Sequence, residues 1–215
     1  MTEIVDARAA ASGILVDPAV VARAAALLRA GEAIVVPTDT VYGLAALPTV
    51  PGATDRLFAL KGRAVDVPVA VLCHDADQAL GLAEPASIGP DVRRIAVRLW
   101  PGPLTVVLAR RPGLALALGH PSTTIGVRCP DHDLVRALAA EVGPLATTSA
   151  NRHGEPTLPT AAGVAAAFGG AVPLVVDGGR CDGEPSTVVD ATGPSWRVLR
   201  EGTVTLAAVE AAAAP

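Results

Sequence analysis

The sequence predicts an α/β fold: one domain built on a twisted sheet of mixed parallel and antiparallel strands with flanking helices. Three observations predict it. Strand and helix signals intermix along the whole chain, with connections long enough for parallel crossovers alternating with tight returns. Hydrophobic residues make up 51% and charged residues 18% of 215 positions, which supplies a core and excludes a disordered chain. No internal repeat and no shift in composition marks a linker, so residues 1–215 read as one unit with its core from about 20 to 202.

The elements follow in order. Asp17-Pro18 reads as an N-cap with proline at the first helical position, opening a helix that runs to Arg29 and stops at Gly31. Ala33 to Pro37 is a short buried strand, followed by the polar cluster Thr38-Asp39-Thr40 and then Val41 to Leu44. Thr54 to Lys61 has helical spacing and Gly62 ends it. Pro68 to Cys73 reads as a strand and His74 to Leu82 as a short helix. Gly89 to Trp100 is an amphipathic helix halted by Pro101-Gly102-Pro103. Strands at Leu104–Ala109 and Thr124–Arg128 flank a loop containing Gly and Pro. A helix from Asp131 to Val142, capped by Asp131, leads to a strand at Leu145–Thr148. A helix over 160–168 and strands over 173–176, 186–191 and 196–200 complete the domain. The N-terminal segment and the alanine-rich C-terminus read as peripheral, the latter a surface helix or frayed tail.

Composition removes several functions. Aromatic residues are 2% of the chain, too few for a stacking platform for single-stranded nucleic acid. A net charge of −4 gives no global field for a polyanion, although a local cationic pocket for a small anion stays open. Cys73, Cys129 and Cys181 lie more than fifty residues apart, with neither zinc nor redox spacing, and read as small buried hydrophobes. The four histidines show no metal spacing, and no Walker loop or dinucleotide fingerprint occurs. The N-terminus lacks an apolar signal core and no apolar run is long enough to span a membrane, so a cytoplasmic location is expected.

The rare residues carry more information. Lys61 is the only lysine among 17 basic residues, Asn151 the only asparagine, Tyr42 the only tyrosine and Gln78 the only glutamine. In a composition drifted towards Arg and Ala, a surviving Lys or Asn marks a position where the common substitute fails. A compact ammonium and a planar guanidinium do not interchange in a tight anion site. Candidate groups stand where strands end: Thr38-Asp39-Thr40 with Tyr42, Lys61-Gly62-Arg63, Thr124 with Arg128, Ser149-Ala150-Asn151, then Ser186-Thr187 and Arg200. A helix C-terminus alone accounts for many basic pairs like Lys61 and Arg63, and turns or caps account for the hydroxyl clusters. Taken together, the cations, hydroxyls and single amide suit a triphosphate and a carboxylate better than hydrolysis.

Six segments in order carry a resemblance: Pro37–Leu44 (PTDTVYGL), Lys61-Gly62-Arg63, Trp100–Thr105 (WPGPLT), Val127–His132 (VRCPDH), Thr148–Asn151 (TSAN) and Ser186–Asp190 (STVVD). From about Val20 to Gly202 the chain resembles the YrdC-type threonylcarbamoyl-AMP synthases in their short, single-domain form. The resemblance implies a large, positively lined concave cavity and a reaction that makes threonylcarbamoyl-AMP and pyrophosphate from L-threonine, bicarbonate or CO2, and ATP. Mg²⁺ would travel with the nucleotide. The product would pass to a separate transferase modifying tRNA, with tRNA itself only an indirect partner. By the same resemblance, Lys61, Arg63, Ser149 and Asn151 form the catalytic signature. Thr38, Arg128 and Ser186 would hold the threonine; Thr124, Thr147, Ser149, Thr157 and Arg200 would join Lys61 and Arg63 around ATP. Two positions depart from the pattern: Val67 stands where many relatives have Asn or Lys, and Leu72 where some have His. Two other readings compete: a paralogue forming carbamoyl-AMP from a different substrate, and a double-stranded RNA-binding module, which the acidic balance disfavours.

Overall fold

The computed structural model describes residues 1–7, 16–62 and 68–215. The strands are β1 (Glu3–Asp6), β2 (Ile34–Val36), β3 (Gly43–Ala46), β4 (Ala70–Leu72), β5 (Leu104–Ala109), β6 (Thr124–Arg128), β7 (Leu145–Ser149), β8 (Leu174–Asp177), β9 (Thr187–Asp190) and β10 (Arg197–Arg200). The helices are α1 (Pro18–Arg29), α2 (Ala53–Lys61), α3 (Ala76–Gly81), α4 (Pro90–Leu99), α5 (Asp133–Val142), α6 (Ala161–Phe168) and α7 (Leu206–Ala213), with a 3₁₀ turn at Pro85–Ser87. The ten strands among the described residues join one sheet in the order β1-β8-β2-β3-β7-β4-β6-β5-β9-β10. Parallel pairs (β1 with β8, β2 with β8, β4 with β6, β5 with β9) mix with antiparallel ones, as the sequence predicts.

Helix boundaries follow local chemistry. Asp17 caps α1, accepting from the amide of Ala19 at 2.8 Å, with Pro18 behind it. Gly62 ends α2 in the left-handed conformation, at φ 65°, where a side chain would be strained. The expected cap at Asp131 is corrected. Helix α5 begins at Asp133 behind an extended His132 that makes no side-chain cap, and Asp133 instead places its charge in the first turn and pairs with Arg136.

Alternation along the strands divides the core in two. One face, carrying Val35, Leu44, Val71, Val106, Val127 and Val175, packs under α2, α4, α6 and α7. The other face carries Ile34, Val36, Ala45, Leu145, Leu174 and Val176 and packs under α1 and α5. Those two helices cover the β8-β2-β3-β7 side of that face and reach Leu72 of β4. Towards β6, β5 and β9 the inward positions change to Ala70, Gly126, Thr105 and Arg128, and a cavity replaces the core.

Both ends of the chain are tied in. Strand β1 extends the sheet edge beyond the expected core, with Glu3 to Asp6 in register with Leu174 to Asp177. Helix α7 buries Val209, Ala212 and Ala213, and Arg94 and Arg98 donate to carbonyls of its last turn, which offsets the C-terminal dipole. The alanine-rich C-terminus is therefore a docked helix rather than a frayed tail.

Candidate active site

The cavity has a volume of about 490 Å³, within the roughly 300–1,000 Å³ range of small-molecule sites. Its floor follows from strand register. Thr147 of β7 pairs with Ala70 of β4, and continuing the β4–β6 and β6–β5 registers brings Gly126 and then Val107 into the same row. Three of those four side chains are small or absent, so the row leaves depth where a core would otherwise sit. A Cβ on Gly126 would meet Thr105 Cγ2 at 3.4 Å and Val107 Cγ2 at 3.8 Å, ordinary contacts that would begin to fill this floor.

One end of the cavity is built around Arg128, which ends β6 and is 5% exposed. Leu72 is its neighbour across β4, and Thr105 lies opposite it in β5 by continuation of the Val106–Val127 pairing. Its guanidinium is fixed from three directions. Nε donates to Gly102 O at 3.0 Å, Nη1 to Thr40 Oγ1 at 3.1 Å, and Nη2 to Asp39 Oδ1 at 2.5 Å. Burial lowers the Arg128 pKa, and the adjacent Asp39 carboxylate opposes that shift. The Thr38–Val41 turn presents Asp39 and Thr40 to the guanidinium. Thr38 Oγ1 accepts from the amides of Thr40 and Val41, and donates to Val41 O at 2.6 Å.

The other end is built around Lys61, the last residue of α2, which is buried. Its Nζ donates to Ser149 O at 2.8 Å, Ser149 Oγ at 3.0 Å and Asn151 Oδ1 at 2.5 Å. Asn151 is held in turn, its Nδ2 donating to the carbonyls of Arg152 and Glu155, which leaves Oδ1 facing the lysine. Only an amide provides donors on one side and an acceptor on the other, so the lone asparagine has a geometric reason to be there. Three oxygens around one point charge likewise suit an ammonium better than a planar fork. Ser149 lies four residues along β7 from Leu145, which pairs with Leu72 beside Arg128. The two cationic ends are thus roughly 13 Å apart along the strands.

A third polar group stands on the far strands. Arg200 donates through Nε and Nη2 to Ser186 O at 3.0 and 2.8 Å, and through Nη2 to Ser186 Oγ at 3.0 Å. Ser186 Oγ is 3.0 Å from Thr105 Oγ1. This group lines the same cavity.

The model of the Sua5/YciO/YrdC family, described as "Telomere recombination", matches residues 26–202. The chain belongs to this family. Among its relatives, a threonylcarbamoyl-AMP synthase of Chromohalobacter salexigens is 39% identical over 173 residues, 79% of this chain and 91% of that one. The Bacillus subtilis threonylcarbamoyl-AMP synthase is 37% identical over 202 residues, 93% of this chain and 58% of the other. The crystal structure of Pyrococcus abyssi Sua5 complexed with L-threonine matches with a TM-score of 0.87 at 33% identity, covering 98% of this chain. The present chain spans 61% of that one. Escherichia coli YciO shares the fold, with a TM-score of 0.80 at 23% identity.

Measured against the family signature, the cavity gathers most of the expected residues. Thr38, Thr124, Arg128, Thr147, Ser149, Ser186 and Arg200 all line it, and Lys61 and Asn151 join it through Ser149. Thr157 follows in the loop after Asn151 and is not among the lining residues. Arg63, with Val67, lies outside the described residues. Tyr42 does not belong to the cluster in which the sequence places it. It is buried on the other side of the turn, its hydroxyl donating to Gly179 O at 2.5 Å, and burial with the nearby Asp177 pushes its pKa well up. The three cysteines are free and buried, and burial pushes the Cys129 thiol up to about 11.

Thr40, Asp39, Gly126 and Thr105 are the residues that sequence reasoning left without a role. Asp39 and Thr40 stood in a recognised cluster; Thr105 was merely the last residue of a motif, and its place beside Arg128 depends on strand pairing. Among the described residues no group of three or more His, Cys, Asp or Glu is placed to hold a metal ion, and no carboxylate lines the cavity. No helix among the described residues is long and apolar enough to cross a membrane.

Proposed function

We propose that this chain is an L-threonylcarbamoyladenylate synthase. One observation carries the reading: a single cavity is lined at one end by the buried Arg128 and at the other by Ser149, whose carbonyl and hydroxyl seat the Lys61 ammonium, with a floor of small residues between them. That spacing suits a substrate with an amino-acid carboxylate at one end and a polyphosphate at the other. The Pyrococcus abyssi relative complexed with L-threonine supports the same assignment.

In this reading Arg128 holds threonine by its carboxylate, with Ser186 and Thr38 lining the threonine side of the cavity, while Lys61, Arg63, Ser149 and Asn151 gather the triphosphate. Thr124, Thr147, Thr157 and Arg200 complete the nucleotide side. The threonine amine, as the free base, adds to CO2 and loses a proton to water, giving a carbamate. A carbamate oxygen then bonds to the α-phosphorus as the bond to the β-phosphate oxygen breaks, and pyrophosphate departs with the electron pair. The chain contributes position and charge, which suffices for a displacement at phosphorus. Mg²⁺ bound to the triphosphate adds charge neutralisation there. The mixed anhydride formed is a donor for a separate transferase acting on tRNA in the cytoplasm.

The test incubates the protein with ATP, Mg²⁺ and bicarbonate, with and without L-threonine, and measures pyrophosphate. Release dependent on both threonine and bicarbonate is expected. Release with carbamoyl phosphate and no amino acid would replace the reading with the carbamoyl-AMP paralogue. Salt-sensitive retention of double-stranded RNA without any release would replace it with the RNA-binding module.

The floor gives a second check. Gly126→Ala should be tolerated, because its φ is not left-handed and its Cβ meets only ordinary contacts. Gly126→Val adds two methyl groups to the floor and is expected to keep the fold while lowering kcat/KM by about tenfold or more. A Gly126→Val enzyme of unchanged kcat/KM would show that no substrate passes over this row.

A further inference from the structure

We propose that Thr105 is a substrate-binding residue, whose hydroxyl donates to the carboxylate of the amino acid held by Arg128. The proposal rests on the reading above for the identity of the ligand, and on the following geometry for the residue. Thr105 is 3% exposed, lines the cavity and lies directly opposite Arg128 across the β5–β6 pairing. Opposed residues in a sheet project from the same face and touch.

The hydrogen-bond count decides what Thr105 offers. Thr105 Oγ1 and Ser186 Oγ, 3.0 Å apart, share one bond and own two protons, so one proton of the pair is left for another acceptor. Arg200 breaks the tie. Its Nη2 donates a charge-assisted bond to Ser186 Oγ, which makes that oxygen a poorer second acceptor and its proton a better donor. Ser186 therefore donates to Thr105, and the remaining proton is that of Thr105, facing the cavity. On the adjacent strand, the three bonds of Arg128 to Gly102, Thr40 and Asp39 occupy three of a guanidinium's five N–H groups and leave two. Two N–H groups and one O–H, from paired positions on neighbouring strands that line one cavity, match the lone pairs of one carboxylate. Leu72, on the other side of Arg128, offers no proton, so the hydroxyl of Thr105 is the polar flank of this subsite.

Calorimetric titration tests the assignment with Thr105→Val, which keeps the shape and removes the proton, and Thr105→Ser, which keeps the proton. Wild-type protein should bind L-threonine and, through the same carboxylate contacts, L-2-aminobutyrate. Thr105→Val should weaken both by a similar factor of roughly tenfold or more, as for loss of a hydrogen bond to a charged group. Thr105→Ser should restore the affinity. Unchanged affinity in Thr105→Val would overturn the proposal, as would equal losses in both variants, which mark a packing role. A loss confined to threonine, or no binding of L-2-aminobutyrate by the wild type, would mean that the site reads the side-chain hydroxyl, and the carboxylate assignment would fall. Pyrophosphate release by the wild type keeps the two claims separate. If it is absent while Thr105 still governs binding, the synthase reading fails and the residue assignment stands.

Discussion

Lys61→Met should lose at least a hundredfold in pyrophosphate release while remaining folded. Three neutral oxygens, two on Ser149 and one on Asn151, are aimed at Nζ, and the helix that carries the lysine ends there at Gly62. Removing the ammonium leaves buried acceptors without a donor, which costs on the order of 1–3 kcal/mol of stability. That lies within what a folded domain tolerates at room temperature. The chemical loss is larger. A fixed charge placed where negative charge develops at phosphorus is worth about 10²–10³ in rate. Lys61→Arg should not rescue the activity, because a planar fork cannot replace a point charge among three convergent oxygens. Circular dichroism and a pyrophosphate assay on the same preparations decide the matter. A Lys61→Met enzyme retaining a tenth of wild-type turnover would remove the lysine from the machinery and with it the triphosphate end of the site.

How much of this was readable in advance differs from residue to residue. The rarity of Lys61 and Asn151 pointed to the positions, and the structure supplies the reason: they meet through an amide that must face two ways. Strand and helix positions were legible because alternation and punctuation are local. What was not legible depends on pairing between distant segments. Strand β1 has too few residues to announce itself and gains its hydrogen bonds from β8, some 170 positions away. The alanines of α7 carry no strong pattern and leave a surface helix and a frayed tail equally open; arginines from α4 anchor its end and decide for the helix. Tyr42 was grouped with the site by its neighbours in sequence, but its ring turns to the opposite side and ties the turn to Gly179. Thr105 and Gly126 acquire meaning only when β5, β6 and β4 lie side by side.

Asp39→Ala should be the most destabilising single change at the site, by about 3–5 kcal/mol. The Asp39 side chain is 13% exposed and that of Arg128 6%, with 2.5 Å between Asp39 Oδ1 and Nη2. Burial already works against the charged form of Arg128, and Asp39 is what opposes it. Taking away one member of a buried pair leaves the other desolvated and uncompensated, and that accounts for the size of the effect. Asp39→Asn should cost less. It keeps Oδ1 as an acceptor and exchanges Oδ2, which is buried without a hydrogen-bond partner among the described residues, for an amide nitrogen. Replacing both partners, as in Asp39→Ala with Arg128→Met, should cost much less than the sum of the single changes, since no charge is then stranded. Urea denaturation of the four proteins gives the cycle. The double variant should be stable and unable to bind an amino acid, separating the folding role of the pair from the binding role of the guanidinium. If Asp39→Ala falls within 1 kcal/mol of wild type, or if the single costs simply add, the pair does not hold Arg128 in place. The orientation of the cation would then have to come from Gly102 and Thr40 alone.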